Sequence, residues 1–339
     1  MDLIRSGAAF TGWTPIRTDC EGRTPTVDWC LTEGISFTDP FFDQTVERCF
    51  RDPCRLLFQR RSSMEEVGRF VTGHPGLPPA AFVFHMSRCG STLIAQMLAQ
   101  ATAHLVLSEA RPIDGILRAT WARPGTSEED RCAWLRWIVG AMGQRRHASQ
   151  ERLFVKFDAW SAIDLPTVRR AFPNVPWLFV YRDPVEVLVS QSMQLGAHVI
   201  PGLLPPSLLG MTAEDVAACP PAEYQARVLA RICQAALVHR DDPHATFVEY
   251  RQLPEFVVTA LPEVCSIRFQ PTDVDRMLQS AGRDAKNPAV AFEKDGRRKL
   301  GMASSALRAA ADRWLAPVYD QLQQARAGQA GRSRVTDAG

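Results

Sequence analysis

The chain has 339 residues, of which 46% are hydrophobic and 22% are charged, so it is neither a disordered, a collagen-like nor a coiled-coil protein. Its 39 basic and 37 acidic side chains leave a net charge of +2, which gives no electrostatic reason to expect nucleic acid or an acidic membrane as the partner. The length lies between that of one typical domain and that of two.

The cysteines and the amino terminus indicate a reducing environment. The nine cysteines are an odd number and form no CxxC pair. Residues 1–9 lack the apolar core of a secretory signal. We therefore expect a cytoplasmic protein with free thiols and, because no Cys/His group has ligand spacing, without a metal. The longest uncharged stretch, residues 187–213, contains prolines and is not expected to span a membrane.

Three regions follow from the pattern of residues. Residues 1–75 are predicted to be an irregular extension packed on the main domain, and the turn-rich segment at 74–79 joins the two. Residues 76–324 carry the regular pattern of strands and helices. Residues 325–339 are small and polar and are predicted to be a disordered tail.

Short apolar runs alternate with helical patterns in the main region. The predicted strands are residues 80–86, 153–155, 177–181 and 246–250. The predicted helices are residues 91–100, one from Ser127 towards His147, one from Asp183 onwards, and a long one from Thr212 towards His239. This alternation predicts an α/β fold of three layers, in which helices flank a central parallel sheet.

A small-residue loop follows the first of these strands. The segment Ser87-Arg88-Cys89-Gly90-Ser91-Thr92 joins the strand to a helix start. Backbone N–H groups and the helix dipole then converge on one point, which is a site for an anion. The loop is not the GxxxxGK(S/T) motif of nucleoside triphosphatases, since His85 stands at its first glycine and Ser91 at its lysine.

A second candidate anion site follows the third predicted strand. Arg182 lies at the end of that strand, where open α/β sheets bind ligands. Asp183-Pro184 begins a helix, and Ser190 lies two turns into it. An arginine and a serine with this spacing are able to hold one phosphate from two sides.

Together the two segments resemble the sulfotransferases that use 3′-phosphoadenosine 5′-phosphosulfate (PAPS). That family has a (K/R)-x-G-(S/T)-T loop at the 5′-phosphosulfate and an R-D-P segment followed by a serine at the 3′-phosphate. Here the matching residues are 88–92 and 182–190, and the resemblance covers roughly residues 80–300. The arginine form of the loop is closer to the tyrosylprotein sulfotransferases and their bacterial relatives.

The resemblance implies a P-loop-like fold and a set of site residues. Arg88, Glu109 and Lys156 take the catalytic positions, with Glu109 as general base. The donor nucleotide is assigned to Ser87, Arg88, Cys89, Gly90, Ser91, Thr92, Arg182, Ser190, Phe292, Lys294 and Arg297. The last three lie in a late segment that departs from the family's motif. Lys156 and Lys294 belong to only four lysines in an arginine-rich chain, the others being Lys286 and Lys299.

The predicted reaction is in-line transfer of the sulfonate of PAPS to a hydroxyl, with an amine as the second choice, leaving PAP and needing no metal. The acceptor is left open among small molecules, carbohydrates, lipids and peptides, as is the oligomeric state. Two alternatives remain at this point: a P-loop kinase or other nucleotide-binding enzyme, and a catalytically silent PAP-binding protein.

Overall fold

The computed structural model describes residues 10–22, 24–293 and 295–336, with side chains up to residue 329. Its strands are β1 Trp13–Asp19, β2 Thr26–Leu31, β3 Arg60–Ser63, β4 Pro79–His85, β5 His104–Ser108, β6 Arg152–Lys156, β7 Trp177–Tyr181 and β8 Ala245–Glu249. They form two sheets. The first has the order β1-β2-β3 and is antiparallel. The second has the order β5-β6-β4-β7-β8, and every pair in it is parallel.

The helices surround the parallel sheet. They are α1 Phe42–Cys49, α2 Pro53–Leu57, α3 Met64–Gly73, α4 Ser91–Leu98, α5 Arg111–Leu117, α6 Ala119–Ala122, α7 Glu128–Met142, α8 Leu165–Ala171, α9 Pro184–Met193, α10 Ala213–Ala218, α11 Pro221–Leu237, α12 Glu255–Thr259, α13 Leu261–Val264, α14 Pro271–Ala281, α15 Gly296–Met302, α16 Ser305–Ala310 and α17 Ala316–Thr336. The predicted α/β fold with a central parallel sheet and flanking helices is confirmed.

The parallel strands are buried because their sequences are apolar on both faces. Ala81–Phe84 of β4 and all of Trp177–Tyr181 are almost completely inaccessible. The ring of Phe84 stacks on Phe157 at 4.6 Å between centroids. This packing fixes the carboxyl ends of the strands, and therefore the loops that follow them, in one place.

Two capped helix starts lie where the sequence indicates them. The side chain of Ser127 accepts a hydrogen bond from the N–H of Asp130 at the start of α7. The Asp183 carboxylate accepts from the N–H groups of Val185 and Glu186 at 2.9 and 3.1 Å, and Pro184 is the first residue of α9. The cap at Asp183 holds α9 directly behind the end of β7.

Three sequence-based expectations about secondary structure are wrong. The long helix expected from Thr212 is two helices, α10 and α11, because Pro220 and Pro221 cannot continue the first one. The amino-terminal extension is not irregular, since it contains β1, β2 and β3 with α1, α2 and α3. The carboxyl-terminal segment is not disordered from residue 325, because α17 runs to Thr336.

The amino-terminal elements pack on the parallel-sheet region. Phe10, Trp29 and Phe70 form an aromatic cluster with centroid distances of 4.3 to 5.9 Å. The Thr18 hydroxyl donates to the carbonyl of Pro112 at 3.1 Å, and the Gln96 amide donates to the carbonyl of Thr38 at 3.2 Å. Across residues 10–22, 24–293 and 295–336, no helix combines the length and the apolar character needed to cross a bilayer.

Candidate active site

A cavity of about 670 Å³ opens at the carboxyl edge of the parallel sheet. The segments that follow β4, β5, β7 and β8 all contribute to its wall, as expected for a ligand site in an open α/β sheet. The predicted site residues that line it are Ser87, Arg88, Cys89, Gly90, Ser91, Thr92, Glu109, Arg182, Ser190 and Phe292. Residues far apart in the chain are therefore brought to one place.

The loop after β4 has a strained backbone. Ser87, Arg88 and Gly90 have φ angles of +78°, +52° and +90°, in the left-handed region that only glycine adopts without cost. A Cβ on Gly90 would lie 2.8 Å from side-chain atoms of Leu253 and Tyr250. The helix α4 begins at Ser91 without a side-chain cap. The loop thus presents the amino end of α4 to the cavity at a backbone cost of about 1–3 kcal/mol for each strained non-glycine residue.

Buried contacts hold this loop in its conformation. The Cys89 thiol donates to the carbonyl of Val180 at 3.0 Å, and burial raises the pKa of this thiol to about 11. Cys89 is therefore a protonated packing residue. The fully buried Gln191 amide donates to the Ser87 hydroxyl at 2.9 Å, while its oxygen accepts from the N–H of Gly196. Gln191 connects the loop to the segment after α9.

Glu109 and Lys156 form an ion pair at the ends of β5 and β6. The Lys156 ammonium donates to Oε1 of Glu109, and the lysine side chain is 1% exposed. Glu109 has a φ of +53°, and its N–H donates to the carbonyl of Lys156 at 2.7 Å. Glu109, the third strained non-glycine residue at the site, lines the cavity.

His85 is the third member of this group. Its Nδ1 accepts from the N–H of Ser87 at 3.0 Å, which assigns the ring proton to Nε2. Nε2 donates to the carbonyl of Phe157 at 3.1 Å and lies 3.5 Å from Oε1 of Glu109. Both ring nitrogens are occupied, so His85 orients Glu109 and has no free position from which to accept a proton.

The surroundings keep Glu109 ionised. Burial by itself raises the pKa of the Glu109 carboxyl, but the charge of Lys156 and the hydrogen bond from His85 outweigh it and hold the pKa well below its ordinary value. Burial, and then the charge of Lys156, lowers the pKa of His85, so the imidazole is neutral. The group at this end of the cavity is one carboxylate, one ammonium and one neutral imidazole.

Arg88 points towards the segment after α9. Its guanidinium donates to both oxygens of Gln194, the side-chain contact being 3.1 Å. Gln194 also lines the cavity. A guanidinium held by two neutral oxygens keeps its full positive charge for an anion in the cavity.

Arg182 is held by two carboxylates on the other side of the loop. Its Nε donates to Glu186 Oε2 at 2.6 Å, and its Nη2 donates to Asp295 Oδ1 at 3.1 Å. The guanidinium lies 3.9 Å from the centre of the Tyr250 ring. The second oxygen of Asp295 is 2.7 Å from the ammonium of Lys299. Asp295 therefore bridges two cations at the place where sequence reasoning puts a phosphate.

The late segment differs in part from the sequence-based assignment. Arg297 is exposed and does not line the cavity, because it follows Asp295 on the solvent side of α15. Lys299, one turn into the same helix, is the cation that reaches the cavity. Lys294 lies outside the described residues. Phe292 lines the cavity at its mouth.

The wall beside Glu109 is mostly apolar. It includes Phe41 from the amino-terminal region, whose ring centre lies 5.3 Å from the Lys156 ammonium, and Trp160, whose indole N–H donates to Asp114 at 2.6 Å. Met193 and His198, from α9 and the segment after it, complete this wall. Burial lowers the pKa of His198 to about 3, so this side chain is neutral as well.

Sequence reasoning did not assign Lys286, Lys299, Asp295, Glu186 or Tyr250 to the site. The scarcity of lysine is the one signal that points to Lys286 and Lys299, both of which line the cavity. In the part of the chain that the structure describes, no group of three or more His, Cys, Asp or Glu side chains is arranged to hold a metal ion.

The chain has no match among protein-family models or among curated proteins. Solved structures to which it is similar include a sulfotransferase from Mycobacterium avium, with 14% identity, coverage of 74% of this chain and 80% of that chain, and a TM-score of 0.44. The sulfotransferase domain of the Synechococcus PCC 7002 olefin synthase has 16% identity, coverage of 76% and 96%, and a TM-score of 0.39.

A sulfotransferase domain from the curacin biosynthetic pathway has 15% identity, coverage of 75% of this chain and 98% of that chain, and a TM-score of 0.41. These structures carry the name of the family that the two sequence motifs resemble. Because identity and TM-score are low, we base the function proposed below on the residues of the cavity.

Proposed function

We propose that this protein is a sulfotransferase that moves the sulfonate of PAPS to a hydroxyl acceptor. The observation that carries the proposal is the convergence, in one cavity, of a strained loop with a cationic residue, a carboxylate paired with a buried lysine, and a second cationic cluster. A carboxylate beside a lysine serves proton removal and charge stabilisation, and the two cationic regions match the two ends of a nucleotide that carries a 5′-phosphosulfate and a 3′-phosphate.

In the proposed reaction the acceptor oxygen forms a bond to sulfur while the bond from sulfur to the bridging oxygen breaks. The electron pair of the broken bond stays on the 5′-phosphate of PAP, and the acceptor proton goes to Glu109. Arg88 and the N–H groups at the start of α4 stabilise the phosphosulfate. Lys156 stabilises the negative charge that develops on the leaving oxygen.

The ion pair with Lys156 links donor binding to the strength of the base. While Lys156 donates to Glu109, the low pKa of the carboxylate makes it a weak base. When Lys156 turns to the phosphosulfate, its attraction to the Glu109 carboxylate weakens. The effect of burial then dominates and raises the pKa of Glu109. The base is then strengthened at the moment when the donor is present.

The acceptor is proposed to be a hydroxyl compound, with an amine as the second choice. A hydroxyl depends on a carboxylate base because it attacks poorly while it is protonated. Phe41, Trp160 and Met193 line the same cavity as Glu109, and this apolar part of the wall is proposed to hold the acceptor. Small molecules, lipids and side chains of peptides all offer such a hydroxyl.

Titration calorimetry with PAP, ATP and 5′-AMP tests the donor part of the proposal. We expect PAP to bind most tightly and Arg182→Ala to weaken it by about thirtyfold or more, which corresponds to about 2 kcal/mol for a charge-assisted contact. The loss is increased because Glu186 and Asp295 are then left without Arg182 near the phosphate.

Arg61→Ala is the matched control for this measurement. Arg61 forms an ion pair with Asp28 at 2.6 Å on the small antiparallel sheet and does not line the cavity. Its removal should leave PAP affinity within about twofold, since an exposed ion pair contributes little. A preference for ATP would favour a kinase, and binding of none of the three nucleotides by folded protein would overturn the proposal.

The position of Asp295 between two cations predicts that a variant without its charge binds PAP more tightly. Asp295 occupies Arg182 and Lys299 together, so a 3′-phosphate has to compete with it. We expect Asp295→Asn to raise the affinity for PAP by roughly tenfold, because the like charge beside the phosphate is removed. The affinity for 5′-AMP, which has no 3′-phosphate, should stay the same, and a fall in PAP affinity would show that Asp295 helps to hold the nucleotide.

A further inference from the structure

The ammonium of Lys286 lies in the same cavity as Arg88 and Glu109. Lys286 lines this cavity, and its Nζ is 5.9 Å from the centre of the Phe41 ring. The same ring lies 5.3 Å from the ammonium of Lys156. The Phe41 ring is therefore close to two ammonium groups, that of the buried Lys156 and that of the exposed Lys286.

Lys286 differs in its partners from Lys299, which also lines the cavity, and from Lys156, which is buried behind Glu109. Lys156 is paired with Glu109, and Lys299 is paired with Asp295. For Lys286, no carboxylate within residues 10–22, 24–293 and 295–329 comes within the 4.0 Å of an ion pair. Partial burial of the ammonium, and then the positive charges of Arg88 and Lys156, lowers the pKa of Lys286 to about 8 against the opposing charges of Glu109 and Asp284, although the residue as a whole is exposed. The repulsion between these positive charges is offset when an anion binds among them.

The backbone around Lys286 is ordered by hydrogen bonds. The Asp284 carboxylate accepts from the N–H groups of Lys286 and Asn287 at 2.9 and 2.8 Å. The N–H of Asp284 donates to Val290, and that of Phe292 donates to Gly282, at 2.8 and 2.9 Å. The lysine is therefore carried by a hydrogen-bonded turn.

The charges around the reacting end of the cavity leave room for one more anion. Arg88, Lys156 and Lys286 are three cations, and Glu109 and Asp284 are the two carboxylates whose charges oppose them at Lys286. In the proposed function the 5′-phosphate lies at the loop before α4. The group beyond it, towards Glu109 and Phe41, is the sulfonate.

We propose that Lys286 binds the sulfonate oxygens of the donor from the exposed side of the cavity, while Lys156 acts from the buried side. This assignment rests on the proposed function and adds a specificity residue to it. Lys286 recognises the group that distinguishes PAPS from PAP, whereas Lys299 and Arg182 recognise the nucleotide that both share.

Binding of PAPS and of PAP, measured without an acceptor, tests the assignment independently of catalysis. We expect Lys286→Met to weaken PAPS by about tenfold and to change PAP by less than about twofold. Lys286→Arg keeps the charge and should keep most of the PAPS affinity. Lys299→Met is the matched control, a lysine of the same cavity, and should weaken both nucleotides by the same factor.

Each outcome decides the assignment. An equal loss of PAPS and PAP in Lys286→Met would move Lys286 to a phosphate of the nucleotide and overturn the proposal. An unchanged affinity for both would also overturn it. If the wild-type protein binds neither PAPS nor PAP, the proposed function fails and this assignment fails with it. If the wild type binds both and only the Lys286 variants behave unexpectedly, the proposed function stands.

Discussion

Glu109→Gln is expected to lower the turnover number by about a hundredfold or more, because a general base contributes a factor of this size and an amide cannot take a proton. Glutamine keeps the size of the side chain and an oxygen that accepts from Lys156, so the cavity should keep its shape. PAP affinity should stay within about twofold of wild type. The measurement is formation of PAP from PAPS with a panel of hydroxyl acceptors (2-naphthol, a hexose and a tyrosine peptide).

The control for Glu109 is the other partly buried glutamate of the cavity region. Glu186 binds Arg182 at 2.6 Å and has no contact with Lys156 or His85. Glu186→Gln should change PAP affinity and leave the turnover number at saturating PAPS close to wild type. Full activity of Glu109→Gln would remove the carboxylate from the mechanism.

Lys156→Met is expected to reduce the turnover number by a similar factor for a different reason. A buried ammonium beside the leaving oxygen stabilises charge that develops only in the transition state, and removal of one such donor costs about a hundredfold or more. The side chain is 1% exposed and lies within the sheet edge, so methionine fills the same space. Lys156→Arg, which keeps the charge with a bulkier head group, should recover part of the activity.

The pH dependence separates this role from a purely structural one. In the wild type the pKa of Glu109 is held low, so kcat/KM should fall with acid only below the ordinary glutamate pKa of about 4.3. In Lys156→Met the burial that raises the pKa is opposed by His85 alone, and the fall should begin at higher pH. An acid limb that does not move would contradict the coupling between Lys156 and Glu109.

The strands and the loop after β4 could be predicted because their signals are local. The apolar run at Trp177–Tyr181 was predicted with its observed bounds, and the helix starts at Ser127 and Asp183 follow from single capping residues. The strand His104–Ser108 was missed, since its five residues include a histidine and a serine. Both polar residues are buried by tertiary packing, and the hydrophobic periodicity of the sequence does not reveal this burial.

The candidate site was predictable where residues follow strands and not where they lie on irregular segments. Arg88, Glu109 and Arg182 come directly after β4, β5 and β7, and the fold brings such positions to one edge. Lys286 and Asp295 lie on the segment between α14 and α15, whose path depends on hydrogen bonds such as that between Asp284 and Val290. Contacts of this kind have no periodicity, which explains why Lys286 and Asp295 were not assigned to the site.

The order of the strands places the functional residues of the cavity on two sides of the central strand β4. Because β4 is central, Glu109 and Lys156 stand on β5 and β6 to one side of it, and Arg182 and Tyr250 stand after β7 and β8 on the other. In the proposed function, bond making thus falls mainly to one flank and nucleotide recognition mainly to the other, and the loop after β4 serves both. Under the proposed function, exchange of the segment after β6, which carries Trp160, is expected to alter the choice of acceptor and to leave the nucleotide donor unchanged.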